Sequence, residues 1–143
     1  MRFRIGSAVL VVLVFASSAW AFIQVAAING AIAIPFEESA GGTAKFFSYT
    51  NEAGKQIRFF VTRGADGQVR VAFDACNACF RAKKGFYQAG SFMVCRNCGM
   101  KIAIDSISKR NSFGCNPVAV DFQQEDSIMK IRVEELEIGS QFF

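Results

Sequence analysis

Five cysteines and no histidine set the chemistry open to this chain. Four of the five form two Cys-x-x-Cys pairs, Cys76-Asn77-Ala78-Cys79 and Cys95-Arg96-Asn97-Cys98, separated by 15 residues. Cys115 follows after 16 more, within Gly114-Cys115-Asn116-Pro117. Two cysteines three positions apart in a tight turn can aim both sulfurs at one point. Two such turns facing each other complete a tetrahedron of thiolates, the arrangement of a four-sulfur metal site. Gly99 supports the second turn, because a residue after a chelating turn often needs positive φ, which glycine adopts without steric cost. That conformation lets backbone N–H groups point at the sulfurs. The first pair has Phe80 at the matching position and is the weaker half.

Two other fates are open to these thiols. Oxidation would join them as disulfides, although an odd number leaves at least one unpaired. A dithiol redox site is the other, but thioredoxin-like sites use one such pair at a helix start rather than two joined by a loop. Among metals, four thiolates suit an iron–sulfur cluster or Zn2+, and copper(I) is admissible. A closed zinc site needs four ligands, so Cys115 is a fifth ligand for a cluster, an alternative ligand or a small buried residue. Arg81, Lys83, Lys84, Arg96 and Lys101 surround the pairs in sequence. They either balance thiolate charge, steer an acidic partner or face water.

The elements that position these cysteines show mostly two-residue periodicity. Ala31 to Phe36 is a short apolar segment with Pro35 at an edge or end. Lys45 to Thr50 is aromatic-rich and β-prone, and Asn51-Glu52-Ala53-Gly54 is a turn signal. Ile57, Phe59 and Val61, then Val69, Val71 and Phe73, alternate with other residues across the Gly64-Ala65-Asp66-Gly67 turn. They read as a β-hairpin with one apolar face shared by both strands. Cys76 to Pro117 has few long apolar runs, so it buries little and needs a cross-link or a metal to hold it. Ile128 to Ile138 begins with strand-like alternation, and its Glu-Glu-Leu-Glu portion can form one helical turn. The expected fold is mainly β with small α content: a small β-sheet domain over residues 30–143 with a Cys-rich metal-binding loop region.

Residues 1–21 read as a leader. Arg2 and Arg4 precede an apolar run from Ile5 to Phe15, and Ala19-Trp20-Ala21 fits a small-x-small cleavage site. No charge occurs between Arg4 and Glu37. The segment is therefore either a cleaved signal peptide or the start of an N-terminal membrane anchor, a transmembrane helix with its basic end in the cytoplasm. Both readings place the domain outside the cytoplasm, in the periplasm or on the extracytoplasmic face of the membrane. From residue 22 onward 14 basic residues face 12 acidic ones, a balance that gives no argument for nucleic acid. The sequence has no nucleophile–base pattern and no phosphate-binding glycine loop, so no catalytic residue is assigned and the protein is not expected to be an enzyme. Asp105 and Asp121 are isolated carboxylates with structural or solvated roles.

Phe73-Asp74-Ala75-Cys76-Asn77-Ala78-Cys79, Gly85-Phe86-Tyr87-Gln88, Val94-Cys95-Arg96-Asn97-Cys98-Gly99 and Gly114-Cys115-Asn116-Pro117 resemble, in combination, the FtrD-like membrane iron–sulfur protein family, over about residues 30 to 140. The resemblance implies a membrane-associated iron–sulfur protein that accepts or passes electrons, in some members beside a permease of an iron uptake system. It carries Cys76, Cys79, Cys95, Cys98 and Cys115 over as metal residues. Many relatives have several membrane spans before this domain, where this chain is expected to have at most one. The expected partners are the membrane and a metal permease or redox partner. A structural-zinc interaction module and a copper or iron delivery protein are the alternative functions.

Overall fold

A computed structural model describes residues 22–111 and 113–143. The leader, residues 1–21, lies outside the described residues. The architecture is mainly β, with short helical pieces. Strands β1 (Ile23–Val25), β3 (Lys45–Thr50), β4 (Gln56–Arg63), β5 (Val69–Cys76) and β9 (Pro117–Ala119) form one sheet in the order β1-β3-β4-β5-β9. The β3–β4 and β4–β5 pairs are antiparallel hairpins, while β1 lies parallel to β3 with Ile23 opposite Phe47. A second sheet joins β10 (Gln123–Glu125), β11 (Ile128–Arg132) and β2 (Ala31–Pro35). Pro35 ends β2, an edge strand, where its missing N–H leaves no ladder bond unmade. The third sheet is β6 (Phe86–Ala89), β7 (Phe92–Cys95) and β8 (Lys101–Ala103). Among the described residues the single α-helix, α1 (Val133–Ile138), continues from β11, and Leu136 is its fully buried residue.

The five-stranded sheet is covered on both faces. Its odd-numbered residues Ile57, Phe59 and Val61 on β4, and Val71, Phe73 and Ala75 on β5, pack with Ile32 and Ile34 of β2, Met129 and Ile131 of β11, and Leu136. Its even-numbered Phe60, Ala72 and Cys76 face a second cluster with Phe86, Met93, Cys95, Ile102 and Ile104. The expected hairpin with one apolar face is therefore corrected. Phe60 and Ala72 are fully buried too, because the third sheet covers the face that alternation alone assigns to solvent. Fully burying one large apolar side chain contributes about 2 kcal/mol, so Phe60 anchors the cysteine-bearing lobe as firmly as Phe59 anchors the other.

The segment Cys76 to Pro117 also differs from expectation. It forms its own three-stranded sheet and contributes the buried Phe86, Met93, Val94, Ile102, Ile104 and Ile107. Its apolar residues come in runs of four or fewer, such as Phe92-Met93-Val94-Cys95, so they lack the long runs that mark a core in sequence. The uncharged stretch between Arg4 and Glu37 does not form one continuous helix: from Ile23 onward it makes β1 and β2. Among the described residues no helix is long and apolar enough to cross a membrane.

Candidate metal centre

Two strand ends, at Cys76 and Cys95, and the loops carrying Cys79, Cys98 and Cys115 bring the five sulfurs to one place. Cys76 is the last residue of β5 and sits opposite Pro117 of β9, beside an irregularity in the β5–β9 pairing. The chain then turns, with the Cys79 N–H donating to the Cys76 carbonyl at 3.1 Å. The Asn77 N–H donates to the Asn116 carbonyl at 3.0 Å, which ties this turn to the loop carrying Cys115. Cys95 ends β7 opposite Phe86 of β6, and the Arg96-to-Met100 connection leads into β8. In that connection the Gly99 N–H donates to the Cys95 carbonyl at 2.9 Å, and the Cys95 N–H donates to the Met100 carbonyl at 3.0 Å. Gly99 has φ +75°, the left-handed geometry expected from its position after the second pair. A side chain at Phe80 gives the first turn no such freedom, and the left-handed residue there is Lys83, four positions beyond Cys79.

The Sγ atoms of Cys76, Cys79, Cys95 and Cys115 all lie within 4.8 Å of one another. Cys115 Sγ is 3.0 Å from Cys76 Sγ and 2.8 Å from Cys98 Sγ. All five cysteines are free thiols, and these separations are well beyond the ~2.05 Å of a disulfide. The structure thus gathers every sequence-selected cysteine, and it puts Cys115 between the two pairs rather than apart from them. Cys76 and Cys95 are buried, Cys79 and Cys115 half-buried, and Cys98 exposed, so the cluster opens to solvent at Cys98.

The thiols are electrostatically unequal. The Cys115 sulfur hydrogen-bonds Cys98 and the Met100 N–H points at it, and these contacts lower the Cys98 pKa to about 7. Burial raises Cys95 to about 11, against the opposing pull of the Cys98 and Asn97 N–H groups aimed at its sulfur. Burial, then its hydrogen bonds to Cys98 and Cys76, raise Cys115 as well. Cys95 and Cys115, raised in this way, stay protonated until a cation compensates the thiolate charge. The chemistry of the donor set fits a soft or borderline metal. Sulfurs about 2.3 Å from one tetrahedral ion stand roughly 3.8 Å from each other, a span that four of these thiols accommodate.

A buried acid flanks the cluster. Asp74 shares its strand face with Cys76 and is 4% exposed. Its Oδ1 accepts the Phe86 N–H at 2.7 Å, joining β5 to β6. Burial raises its pKa to about 6, while that hydrogen bond, Arg58 and Arg96 act in the opposite direction. Gly85 makes the approach possible: a Cβ there would stand 2.4 Å from both carboxylate oxygens, and its φ is +68°. Sequence reasoning passed over Asp74 as an ordinary hairpin residue. Its signal was positional, an acid two residues before Cys76 in the apolar half of the strand, Val71 to Cys76. Asp74 also lines a cavity of about 250 Å³ with Phe22, Phe46, Arg58, Lys84, Phe86 and Arg96.

The basic residues near the pairs are exposed. The Arg96 Nε donates to the Phe86 carbonyl at 3.0 Å, and its guanidinium lies 5.2 Å from the Tyr87 ring centre, which holds it against β6. Asp105 and Asp121, isolated in sequence, meet cations in the fold: Asp105 Oδ1 is 3.9 Å from Arg70, and Asp121 pairs with Lys109.

The family model described as membrane iron-sulfur containing protein FtrD-like matches residues 40–143. The chain belongs to the FtrD-like family. All five cysteines and Asp74 fall within the matched residues. No curated protein matches the chain. Among solved structures it is similar to the quaternary ammonium Rieske monooxygenase CntA in complex with an inhibitor, at 14% identity and a TM-score of 0.46. That match covers 71% of this chain and 30% of the monooxygenase chain. The FtrD-like chain thus combines a family description naming an iron–sulfur group and a membrane with a cysteine cluster that can bind a metal.

Proposed function

We propose that this FtrD-like protein carries an iron–sulfur centre on Cys76, Cys79, Cys95, Cys98 and Cys115, and passes electrons in support of metal uptake, iron above all, outside the cytoplasm. The observation that supports this reading most directly is the meeting of thiols from three separate loops at one point in a chain of this family. An iron–sulfur centre supplies reversible electron transfer at a potential set by burial and by hydrogen bonds to sulfur. The chain's part is to hold and tune it. Cys76 and Cys95 supply buried sulfurs, Cys98 supplies the solvent-facing one, and Cys115 bridges the pairs. The N–H groups of Asn97, Cys98 and Met100 soften the thiolate charge. The protein acts on no substrate of its own in this reading, and its partners are the membrane and a permease or redox protein within it. Residues 1–21 supply the export signal or anchor.

Anaerobic purification followed by visible absorption, EPR and iron and sulfide analysis tests the reading. Iron and acid-labile sulfide in stoichiometric amounts are expected. Stoichiometric zinc without sulfide, persisting after reconstitution with iron and sulfide, overturns it.

One observation favours a second reading. Four sulfurs within 4.8 Å suit a single tetrahedral ion, so a structural zinc that only holds the lobe together is the alternative. It predicts metal-dependent folding with no redox wave. Copper(I) or iron delivery predicts fast metal loss to a chelator.

A further inference from the structure

We infer that the face around Cys98 docks an acidic protein electron carrier, an inference that rests on the electron-transfer reading. Three observations carry it. First, the cluster opens at one sulfur: Cys98 is exposed while Cys76 and Cys95 are buried. Second, two large apolar side chains bracket that opening. Met100, two residues beyond Cys98, is 55% exposed, and Phe113, two residues before Cys115, is 77% exposed. The 2.8 Å contact between the Cys98 and Cys115 sulfurs brings the two segments together, and the Asn116 side-chain amide, donating to the Phe113 carbonyl, fixes the second. Solvent exposure on this scale has an unfavourable hydration cost that a partner surface would remove.

Third, charge is segregated. Cys76 to Pro117 holds seven basic residues and one acid, Asp105, whereas the rest of residues 22–143 holds seven basic and eleven acidic. The near-neutral total therefore hides a cationic cysteine lobe on an anionic body. A cationic lobe that exposes apolar side chains is the complement of a carrier with Asp and Glu around its own redox group. Such a field steers encounter and sets orientation, and it weakens as salt screens it. Electron carriers use small, transient interfaces, below about 1,200 Å² in total.

The test uses the full chain in nonionic detergent, with iron and sulfide measured on the same sample, and a flavodoxin as an acidic, metal-free carrier probe. Calorimetry is expected to show saturable binding that weakens at least tenfold between 20 and 300 mM salt, with no binding to the basic carrier cytochrome c. The Lys83→Glu, Lys101→Glu double variant is expected to weaken it at least tenfold, and Met100→Ser with Phe113→Ser at least threefold. Lys130→Glu, on the opposite sheet, should leave it unchanged. Carbodiimide, which joins lysine to carboxylate, should link the probe through Lys83, Lys84 or Lys101. Absence of binding, equal effects of Lys130→Glu and the lobe variants, or cross-links at Lys45, Lys55 and Lys130 instead would overturn the inference. So would protection of Lys83 and Lys101 from acetylation by vesicles containing phosphatidylglycerol but not by neutral ones, which assigns the face to the bilayer. Binding without iron and sulfide defeats the iron–sulfur reading alone; iron and sulfide without binding defeats the docking inference alone.

Discussion

The sulfurs of Cys98 and Cys115 lie 2.8 Å apart although 17 positions separate them in the chain. Cys115 also lies 3.0 Å from Cys76, so one residue outside both Cys-x-x-Cys pairs touches a member of each. The doubled motif supplies two chelating turns. A third loop, held by the Asn77–Asn116 backbone bond, closes the centre between them.

Cys115→Ser should therefore cost more bound metal than Cys98→Ser. The first removes a sulfur that bridges both pairs, and the second removes the solvent-facing one. Metal content after anaerobic desalting, read by elemental analysis against protein concentration, is expected to fall below a tenth of wild type for Cys115→Ser and to stay above that for Cys98→Ser. Equal retention in the two variants would count against a bridging Cys115.

The metal-free thiols should alkylate in an order set by their surroundings. Cys98, with a pKa of about 7 and an exposed sulfur, is half thiolate near neutral pH. Cys95, raised to about 11 by burial, is almost wholly protonated there. Since thiolate is the reacting form, iodoacetamide at pH 7 should mark Cys98 first, with a rate that rises through pH 7, as peptide mass mapping after brief exposure would show.

Asp74 makes the stability of the fold depend on pH with a definite sign. Its folded pKa, about 6, lies above the ordinary 3.8, so the native state favours the protonated acid. The associated stability is fully present below about pH 4 and is lost as pH rises through 6. A shift of this size corresponds to about 3 kcal/mol. Asp74→Asn keeps an acceptor for the Phe86 N–H and removes the charge. Thermal melts of metal-free protein at pH 4.5 and 7.5 should show the variant gaining on wild type at the higher pH. A constant difference between the two would show that burial of this carboxyl carries no such cost.

Gly85 and Gly99 both hold positive φ, yet they should differ in tolerance. An added Cβ at Gly85 would strike the Asp74 carboxylate at 2.4 Å, whereas at Gly99 it meets nothing within 4 Å. Gly99→Ala should cost the backbone penalty alone, roughly 1 kcal/mol. Gly85→Ala should cost about 3 kcal/mol or more, since it also parts β5 from β6. Denaturant midpoints at constant m-value separate the two.

Much of the centre was legible because chelation is local chemistry. Cys-x-x-Cys at a turn, Gly99 at the position needing positive φ, and the β4–β5 hairpin as far as Asp74 all follow from neighbours in sequence, while β5 itself runs on to Cys76. The lobe from Cys76 to Pro117 was misjudged for the same reason. Phe86, Met93, Ile102 and Ile104 lie in short apolar runs along the chain and become a core only when three short strands align them.

The sequence by itself determined the candidate cysteines, the strand periodicity and the family, since each depends on residue type and short-range spacing. Only the tertiary structure decided that Cys115 stands between the two pairs, that Asp74 is buried beside them, and that both faces of the central sheet are covered. Those outcomes depend on contacts between residues far apart in the chain, where packing and strand pairing decide which groups meet.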